Sequence, residues 1–401
     1  MAERYNGRAA GVKRLPRRRS PAIARHRHPS SHIAPRRLPS ILIALLMLAL
    51  FGPSALPAQT VTGRVIHQAS RTPLPGAFVM LLGGDRAEIA RTMTDPFGRF
   101  QLEVPHDGVY RVQAVAVGHQ SWMSDPVTVV GDSAVEYVIE LLQLAVALPA
   151  LVVEADRNCR IRPEAGMAAA QLWEEARKAL EAVVWTERDG TLRHRIARYD
   201  RKREAQTQRV VDDHTQRWEG VYRGSPFTTD ASVNLTQAGY VRELPSGEFV
   251  FDAPDANLLL SDGFADVHCF AVRGPRDDRS ALVGLAFEPA QGRDVTDIEG
   301  VLWLDGESAE LRYLEYRYRR LPDELRPAES QQIGGRVDFV RLPQGPWIVG
   351  EWWIRMPEVG LREGLRGDRE TVLLFLREQG GWVEEVRDLR GTLVWRATRQ
   401  R

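Results

Sequence analysis

The feature that most restricts the fold of this 401-residue chain is a repeated pattern of short alternating segments between turns. From residue 60 to residue 142, clusters of Pro, Gly and Asp recur about every 8–12 residues and separate stretches that are typical of β-strands. In residues 99–104, Phe100, Leu102 and Val104 fall on one face because side chains alternate along a strand. Six or seven such strands predict a β-sandwich of about 80 residues.

Five motifs in this region resemble the carboxypeptidase regulatory-like domain. They are Val-Thr-Gly-Arg-Val at 61–65, Pro-Leu-Pro-Gly-Ala at 73–77, Thr-Asp-Pro-Phe-Gly-Arg-Phe at 94–100, Pro-x-x-Gly-Val-Tyr at 105–110 and Val-Gly-His at 117–119. The resemblance covers residues 60–142 and implies a transthyretin-like β-sandwich of seven strands. It implies no peptidase activity, because a zinc peptidase needs a His/Glu pair and the sequence contains neither H-x-x-E nor H-E-x-x-H.

Histidines and common catalytic motifs give no sign of chemistry. His67, His106 and His119 stand in isolated turn-like contexts, so we expect them on the surface. His194 and His214 fall on neighbouring predicted strands, but a third ligand has no obvious candidate, so we predict no metal site. The sequence also lacks G-x-S-x-G, a P-loop and a dinucleotide fingerprint. We therefore predict that the protein is not an enzyme and has no catalytic residues and no cofactor.

The first 58 residues have the order of a secretory signal. Residues 1–39 hold 11 Lys and Arg against one acid, and the apolar run at 41–51 is shorter than the about 20 residues of a membrane-spanning helix. We place the cleavage after Ala58, and an uncleaved membrane anchor is the alternative. We expect an exported protein in the periplasm, or associated with the outer membrane or cell surface, with peripheral membrane contact at most.

The remainder of the chain is mildly acidic. Of the 54 Lys and Arg and the 53 Asp and Glu, 43 and 52 lie after the leader. A protein that binds nucleic acid without sequence preference needs a basic face that neutralises phosphates, so we exclude nucleic acid as a partner. Arg-rich runs at 198–203, 317–320 and 362–369 are mostly interleaved with acids, which favours solvated faces over a site for an anionic partner.

The mature chain contains two cysteines, Cys159 and Cys269. In an oxidising compartment this pair predicts a structural disulfide, which would close a loop of about 110 residues and stabilise the fold by about 4–5 kcal/mol. Two buried free thiols are the alternative. His268 precedes Cys269, but adjacency in sequence does not support a Cys–His nucleophile, because catalytic partners meet through space.

A linker at residues 143–162 is expected to lead into a second domain at 163–398. The best helix of the chain opens this domain, since apolar residues recur every three or four positions through residues 164–184. Long alternating segments follow, and hairpin turns fit at 304–307 and 379–381. One helix followed by an antiparallel meander predicts an α+β domain in which the helix lies on a strongly curved sheet. The inward candidates on its first two strands are Ile196, Tyr199, Val210 and Trp218.

The runs at 297–305, 311–316 and 350–357 resemble the half-barrel sheet of outer-membrane lipoprotein carriers and their relatives. The resemblance covers about residues 280–395 and consists mostly of strand patterning. In that family the concave face holds acyl chains. The resemblance therefore implies an apolar cavity here, but no particular ligand residue.

Tryptophans concentrate in the last quarter of the chain. Five of them are candidates for a groove that binds a lipid or glycan, namely Trp303, Trp347, Trp352, Trp353 and Trp382. The alternative is an ordinary β core, since Trp favours strands and buries a large area. Trp352 and Trp353 must point to opposite faces if they share a strand.

Together these features predict a non-catalytic binding protein of the cell envelope. We expect the β-sandwich to be an interaction module and the second domain to bind an apolar ligand or an envelope protein. Two alternatives stay open, a structural accessory subunit of an envelope complex without a small ligand and a hydrolase with an unrecognised site.

Overall fold

The computed structural model describes residues 59–131, 134–144, 163–227, 234–274, 281–328, 331, 333–363 and 369–398. The leader with its cleavage site, most of the linker and Cys159 lie outside the described residues, so the cleavage and the disulfide to Cys269 stay predictions. No helix within the described ranges is long and apolar enough to cross a membrane.

The first part of the chain forms two sheets that share one core. Its strands are β1 (Thr60–His67), β2 (Phe78–Leu82), β3 (Glu88–Met93), β4 (Arg99–Glu103), β5 (Gly108–Val115), β6 (Trp122–Met123), β7 (Val127–Val129) and β8 (Ala134–Leu141). One sheet has the order β4-β1-β8 and the other the order β3-β2-β5-β6, with β7 also on β5. Apolar residues of both sheets, including Val61 and Val112, form one buried cluster. The predicted sandwich is confirmed, with eight strands where seven were expected.

The second part of the chain begins with helix α1 (Pro163–Asp189), which is followed mainly by strands. The strands are β9 (Leu192–Glu204), β10 (Val210–Val221), β11 (Val241–Glu243), β12 (Phe249–Phe251), β13 (His268–Arg273), β14 (Leu282–Pro289), β15 (Asp297–Asp305), β16 (Leu311–Arg319), β17 (Gly334–Arg341), β18 (Trp347–Glu363), β19 (Arg369–Asp388) and β20 (Leu393–Arg396). The short helices are α2 (Leu235–Ala238), α3 (Ala256–Leu259), α4 (Asp262–Val267) and a 3-10 helix (Asp323–Ala328).

Ten of these strands form one antiparallel sheet. Its order is β10-β9-β19-β18-β17-β16-β15-β14-β13, with β20 also on β19, while β11 and β12 form a separate hairpin. Helix α1 lies against β13 to β16 and β18. This arrangement confirms the predicted mainly β fold, a sandwich followed by one long helix on an antiparallel sheet.

Strand β19 corrects the hairpin expected at residues 379–381, because the chain continues through Gly380 and Gly381 as a strand. The two glycines leave room for rings on the neighbouring strands. A Cβ atom on Gly380 would lie 2.7 Å from the hydroxyl oxygen of Tyr199, and one on Gly381 would lie 2.6 Å from Cζ2 of Trp352. The glycines therefore mark close approach of neighbouring side chains and not a turn.

Strand β10 corrects a second expectation. Val210 and Trp218 were expected to point inward, but they are exposed to 40% and 44%. The reason is that β10 is the outer strand of the sheet, where the described residues provide little cover. Ile196 and Tyr199 lie one strand further in, on β9, and are buried as expected.

Helix α1 is buried on two sides. Leu172, Leu180 and Val183 belong to the core that the helix shares with the sheet. On the opposite side of the helix, Trp185 packs edge-on against Phe78 of the sandwich with ring centroids 5.7 Å apart. The helix therefore lies between the sandwich and the large sheet, and it holds the two parts together.

A buried ion pair joins the helix to the sandwich. The Nζ atom of Lys178 lies 2.7 Å from Oε1 of Glu175, and both side chains are less than 5% exposed. The N–H group of Gly118 donates to Glu175 at 2.7 Å, and Lys178 donates to the carbonyl oxygen of His119 at 3.0 Å. Contrary to expectation His119 is buried, and its ring contacts that of His67. Burial lowers the pKa of His119 to about 4.

Candidate ligand cavity

One side of the ten-stranded sheet faces helix α1, and a row of directly paired residues crosses this side. From β14 to β10 the row consists of Leu285, Leu302, Leu314, Val337, Trp352, Gly381, Arg198 and Gln216. Directly paired residues point to the same side of a sheet. The three leucines are fully buried, whereas the last two residues are exposed. We call β13 to β16 the covered half of this side, and β9, β10, β19 and the adjoining part of β18 the open half.

The covered half is closed by more than helix α1. Phe264 of α4 is fully buried and stacks on His268, with ring centroids 4.1 Å apart. The ring nitrogens of His268 lie 2.9 Å from the carbonyl oxygen of Phe264 and 3.3 Å from the carboxylate of Asp297. His268 therefore stabilises the chain where it enters β13. Since Cys269 is the next residue on the strand, its side chain points to the other side, which gives a Cys–His nucleophile no support.

A cavity of about 410 Å³ lies on the open half. Its apolar wall comes from strands β17 and β18, from the end of β12 and from the connection that follows β10. The residues of this wall are Phe227, Phe251, Val337, Trp352, Ile354 and Met356. Tyr316 of β16 adds its ring, and burial raises the pKa of its hydroxyl. The wall is suited to the apolar part of a small molecule.

Polar side chains line the opposite part of the cavity, on β9, β10 and β19. Nη2 of Arg198 donates to the hydroxyl of Tyr222 at 2.9 Å and to the carbonyl oxygen of Pro226 at 3.1 Å. Among the described residues, no carboxylate forms an ion pair with Arg198. Asp200, by contrast, accepts from Nε of Arg377 at 2.9 Å, and this hydrogen bonding lowers its pKa. Gln379 also donates to Asp200 at 2.9 Å.

The described polar groups of this lining include no hydrogen-bonded acid–base pair. Asp200 is held in its ionised form, and His214 is exposed beside Gln216, with their side-chain nitrogens 2.9 Å apart. Burial raises the pKa of Glu187 to about 7, but this carboxyl is not part of the cavity lining. Within the described part of the chain, no group of three or more His, Cys, Asp and Glu is placed to hold a metal ion.

The five candidate tryptophans lie in three different places. Trp352 and Trp353 both border the cavity, but they are adjacent on β18, so their rings point to opposite sides of the sheet. The ring of Trp352 faces the cavity, and the ring of Trp353 lies on the reverse side, 5.1 Å from the guanidinium carbon of Arg355. Trp347 is 2% exposed and packs in the core next to helix α1. Trp303 and Trp382 point to the reverse side of the sheet, where they pack beside Tyr313 and Tyr199.

Several cavity residues are absent from the candidates found in the sequence. Arg198 and Asp200 belong to a charged run that reads as a solvated face, and Phe227 and Phe251 flank connections between elements. Pairing of β9 with β19 places Arg198 beside Gly381 and Asp200 beside Gln379, across a sequence separation of about 180 residues. The one local signal is the pair Gly380 and Gly381, which seats the ring of Trp352 and the hydroxyl of Tyr199.

Comparisons with known proteins identify part of the chain. No curated protein matches it. The pilus 2b backbone protein of group B streptococcus is 12% identical with a TM-score of 0.18, and the match covers 21% of this chain and 41% of that one. The minor pilin GBS52 of Streptococcus agalactiae is 14% identical with a TM-score of 0.19, over 25% and 49% of the two chains. A DUF3823 family protein of Bacteroides uniformis is 12% identical with a TM-score of 0.19, over 60% and 93%.

The matched region spans less than half the length of each of the two streptococcal chains. TM-scores this low do not place the whole chain in any of these structural groups. The sequence model of the carboxypeptidase regulatory-like domain, however, matches residues 60–142, the same region that carries the five motifs and folds as the sandwich. Residues 60–142 therefore form a carboxypeptidase regulatory-like domain.

Proposed function

We propose that this chain is an exported, non-catalytic binding protein of the cell envelope whose large sheet holds a small amphipathic molecule with an acidic group. The observation that carries the proposal is the cavity on the open half of the sheet. Its volume of about 410 Å³ is typical of small-molecule sites, which enclose about 300–1,000 Å³.

The lining of the cavity supports this class of ligand. Aromatic and aliphatic side chains on one wall, such as Trp352 and Ile354, suit an acyl chain or the apolar face of a glycan. Arg198 lies on the opposite wall and has no ion-pair partner among the described residues. A guanidinium binds carboxylate and phosphate with strong, directed hydrogen bonds. An acidic lipid fits both walls.

The leader supports the location of the protein. A basic segment, an apolar run of 11 residues and a small residue at the expected cleavage site direct a chain to export. The sandwich then serves as an interaction module that also supports helix α1. A purely structural accessory subunit is less favoured, because helix α1 leaves the open half of the sheet uncovered. A hydrolase is less favoured because Asp200, the carboxyl in the described part of the cavity lining, has a lowered and not a raised pKa.

The test is native mass spectrometry of the protein expressed from its full-length sequence and purified from a periplasm, followed by solvent extraction. We expect extra mass that extracts as an acidic amphipathic molecule. Arg198→Gln should lower its occupancy about tenfold or more, because one charge-assisted hydrogen bond contributes about 1.5–3 kcal/mol. Arg273→Gln removes the same charge from strand β13 at the other edge of the sheet and should leave occupancy unchanged. A bare polypeptide mass in the wild type would contradict the proposal and favour the accessory subunit.

A further inference from the structure

Strand β10 (Val210–Val221) offers an unused edge of the large sheet. It contains 12 residues, pairs with β9 on one side, and no described strand pairs with its other side. Almost every residue of the strand is exposed. A long unpaired strand edge presents backbone N–H and C=O groups that are ready to pair with another strand.

Four large apolar side chains of β10 are exposed, beside charged residues of both signs. Val210, Val211, Trp218 and Val221 are exposed to between 39% and 46%. Soluble proteins often protect such edges with Pro, Lys or a very short strand, and β10 has none of these. It does carry a bulge near its start, between Val210 and Asp212, and charged side chains of both signs, which can pair with those of a matching strand. The edge therefore has the character of a contact surface.

We infer that β10 pairs antiparallel with β10 of a second copy of this chain, with the two-fold axis at Thr215. A two-fold interface must be self-complementary, since each residue that one copy presents is also presented by the other. The sequence of β10 meets this condition. Asp213 and Arg217 lie two residues on either side of Thr215, so each faces the opposite charge of the partner.

The charges select this register over its neighbours. In an antiparallel pair, directly opposite residues both turn their backbone groups towards the partner or both away, so opposite residue numbers have an even sum. With the axis at Thr215, Asp213 of each copy faces Arg217 of the other, so the interface contains two such charge pairs. Moving the axis to Gln216 places Asp213 against the partner's Glu219, and like charges directly opposite destabilise a sheet. Moving it one residue the other way leaves Asp213 opposite Thr215 and Arg217 opposite Val211, so no charge pair forms between residues of β10.

Both charged side chains are free enough to form these contacts. Asp213 pairs with Arg201 at 2.9 Å within the chain and is 43% exposed, and Arg217 pairs with Glu384 at 3.0 Å and is 63% exposed. Exposed ion pairs of this kind contribute little to folding. They can therefore be shared with a second copy, or replaced by mutation, without unfolding the strand.

The dimer also changes the surroundings of the cavity. His214 and Gln216 lie on β10 and line the cavity, and in this register His214 of one copy faces Gln216 of the partner. The open halves of the two copies would then adjoin across the two-fold axis as one continuous side. Pairing does not depend on the ligand, so a protein without any bound molecule should still dimerise.

Charge exchange tests both the partner and the register. The protein is purified from the periplasm after expression of the full-length sequence, and its mass is measured by analytical ultracentrifugation over a range of concentrations. We expect a dimer whose Kd rises at least tenfold in Asp213→Arg and in Arg217→Glu, because each variant places like charges opposite one another twice. Equal amounts of the two variants should form a mixed dimer. In that dimer the introduced arginine of one copy faces the introduced glutamate of the other, and the unchanged Arg217 faces the unchanged Asp213.

Arg273→Glu is the matched control, because it makes the same charge change on β13 at the opposite edge of the sheet. It should leave the dimer unchanged. A monomeric wild type would overturn the proposal. So would single variants that dimerise as the wild type does, since the copies would then meet elsewhere, or variants that stay apart when mixed, since Asp213 and Arg217 would then not be opposite.

Discussion

The covered and the open half of the large sheet lie on the same side of one sheet, on different strands, and differ in what packs on them. In the covered half, Leu302 and Leu314 have no exposed surface, because helix α1 and the segment around α4 lie on β13 to β16. In the same row of paired residues, Arg198 and Gln216 of the open half are exposed. The cavity therefore forms where helix α1 and the segment around α4 end, and it needs no special motif in the strands.

The largest expected effect comes from breaking the buried ion pair of helix α1, which lies on the covered half of the sheet. Lys178→Met leaves the carboxylate of Glu175 buried without its cation, so we expect the free energy of unfolding to fall by about 3–5 kcal/mol. Chemical denaturation measures this loss. Adding Glu175→Gln should restore much of the stability, because the amide still accepts from the N–H group of Gly118. Equal losses in the single and double variants would show that the buried charge is not the cause.

A second comparison measures the loss of stability when one apolar side chain is shortened in the covered half and one beside the cavity. Leu302→Ala should lower the free energy of unfolding by about 2–5 kcal/mol, because it leaves a space that the packed core cannot fill. Ile354→Ala removes a half-buried side chain that already borders the cavity, so we expect a loss below about 2 kcal/mol. Denaturation of both variants under the same conditions measures the difference, and equal losses would contradict the distinction between the halves.

Low pH should destabilise the contact between the sandwich and helix α1, where His119 is buried. The pKa of His119 is about 4 in the folded protein and about 6.5 when the chain is unfolded, so the unfolded state binds the proton first as the pH falls. The contribution of His119 is complete above pH 6.5 and declines between pH 6.5 and 4, by at most about 1.4 kcal/mol per pH unit. Unfolding of His119→Gln at pH 7, 5.5 and 4.5 should show a smaller decline than the wild type. An unchanged slope would assign the effect to other groups, such as His194, whose pKa burial also lowers to about 4.

The smallest effect is expected where none of the described segments covers the sheet. Leu361 lies near the end of β18 and is 68% exposed. Leu361→Ala should therefore change the free energy of unfolding by no more than about 0.5 kcal/mol, as is usual for surface substitutions. A larger loss in chemical denaturation would indicate that another part of the chain packs on this end of the strand.

The sequence predicts which segments form strands and helices better than it predicts what each of them packs against. Local signals were sufficient for the sandwich, whose turns carry the motifs, and for helix α1, whose apolar residues recur at helical spacing. Local signals failed where the burial of a residue depends on neighbouring elements. Trp218 alternates like a core residue but lies on an edge strand, and His119 looks like a turn residue but is buried against His67 and the carbonyl oxygen of Val117.

The cavity was predicted only as a concave apolar site. Trp352 and Trp353 were among the candidates, but the polar wall was not foreseen, because Arg198 and Asp200 read as solvent-facing charges. Whether a residue on β9 faces water or a cavity depends on β19, which no local pattern connects with it. Long-range pairing is the part of this fold that sequence patterns cannot supply.

The position of β19 has a consequence for the order in which the protein folds. The hairpin of β9 and β10 is local and forms from residues close in sequence, but among the described strands β19 alone joins it to the rest of the sheet. Pairing Ala197 with Trp382 closes a long loop, and such contacts form late. The open half is therefore expected to assemble last. A chain that stops before β19 should still fold its sandwich, while the hairpin that carries Arg198 has no sheet to join.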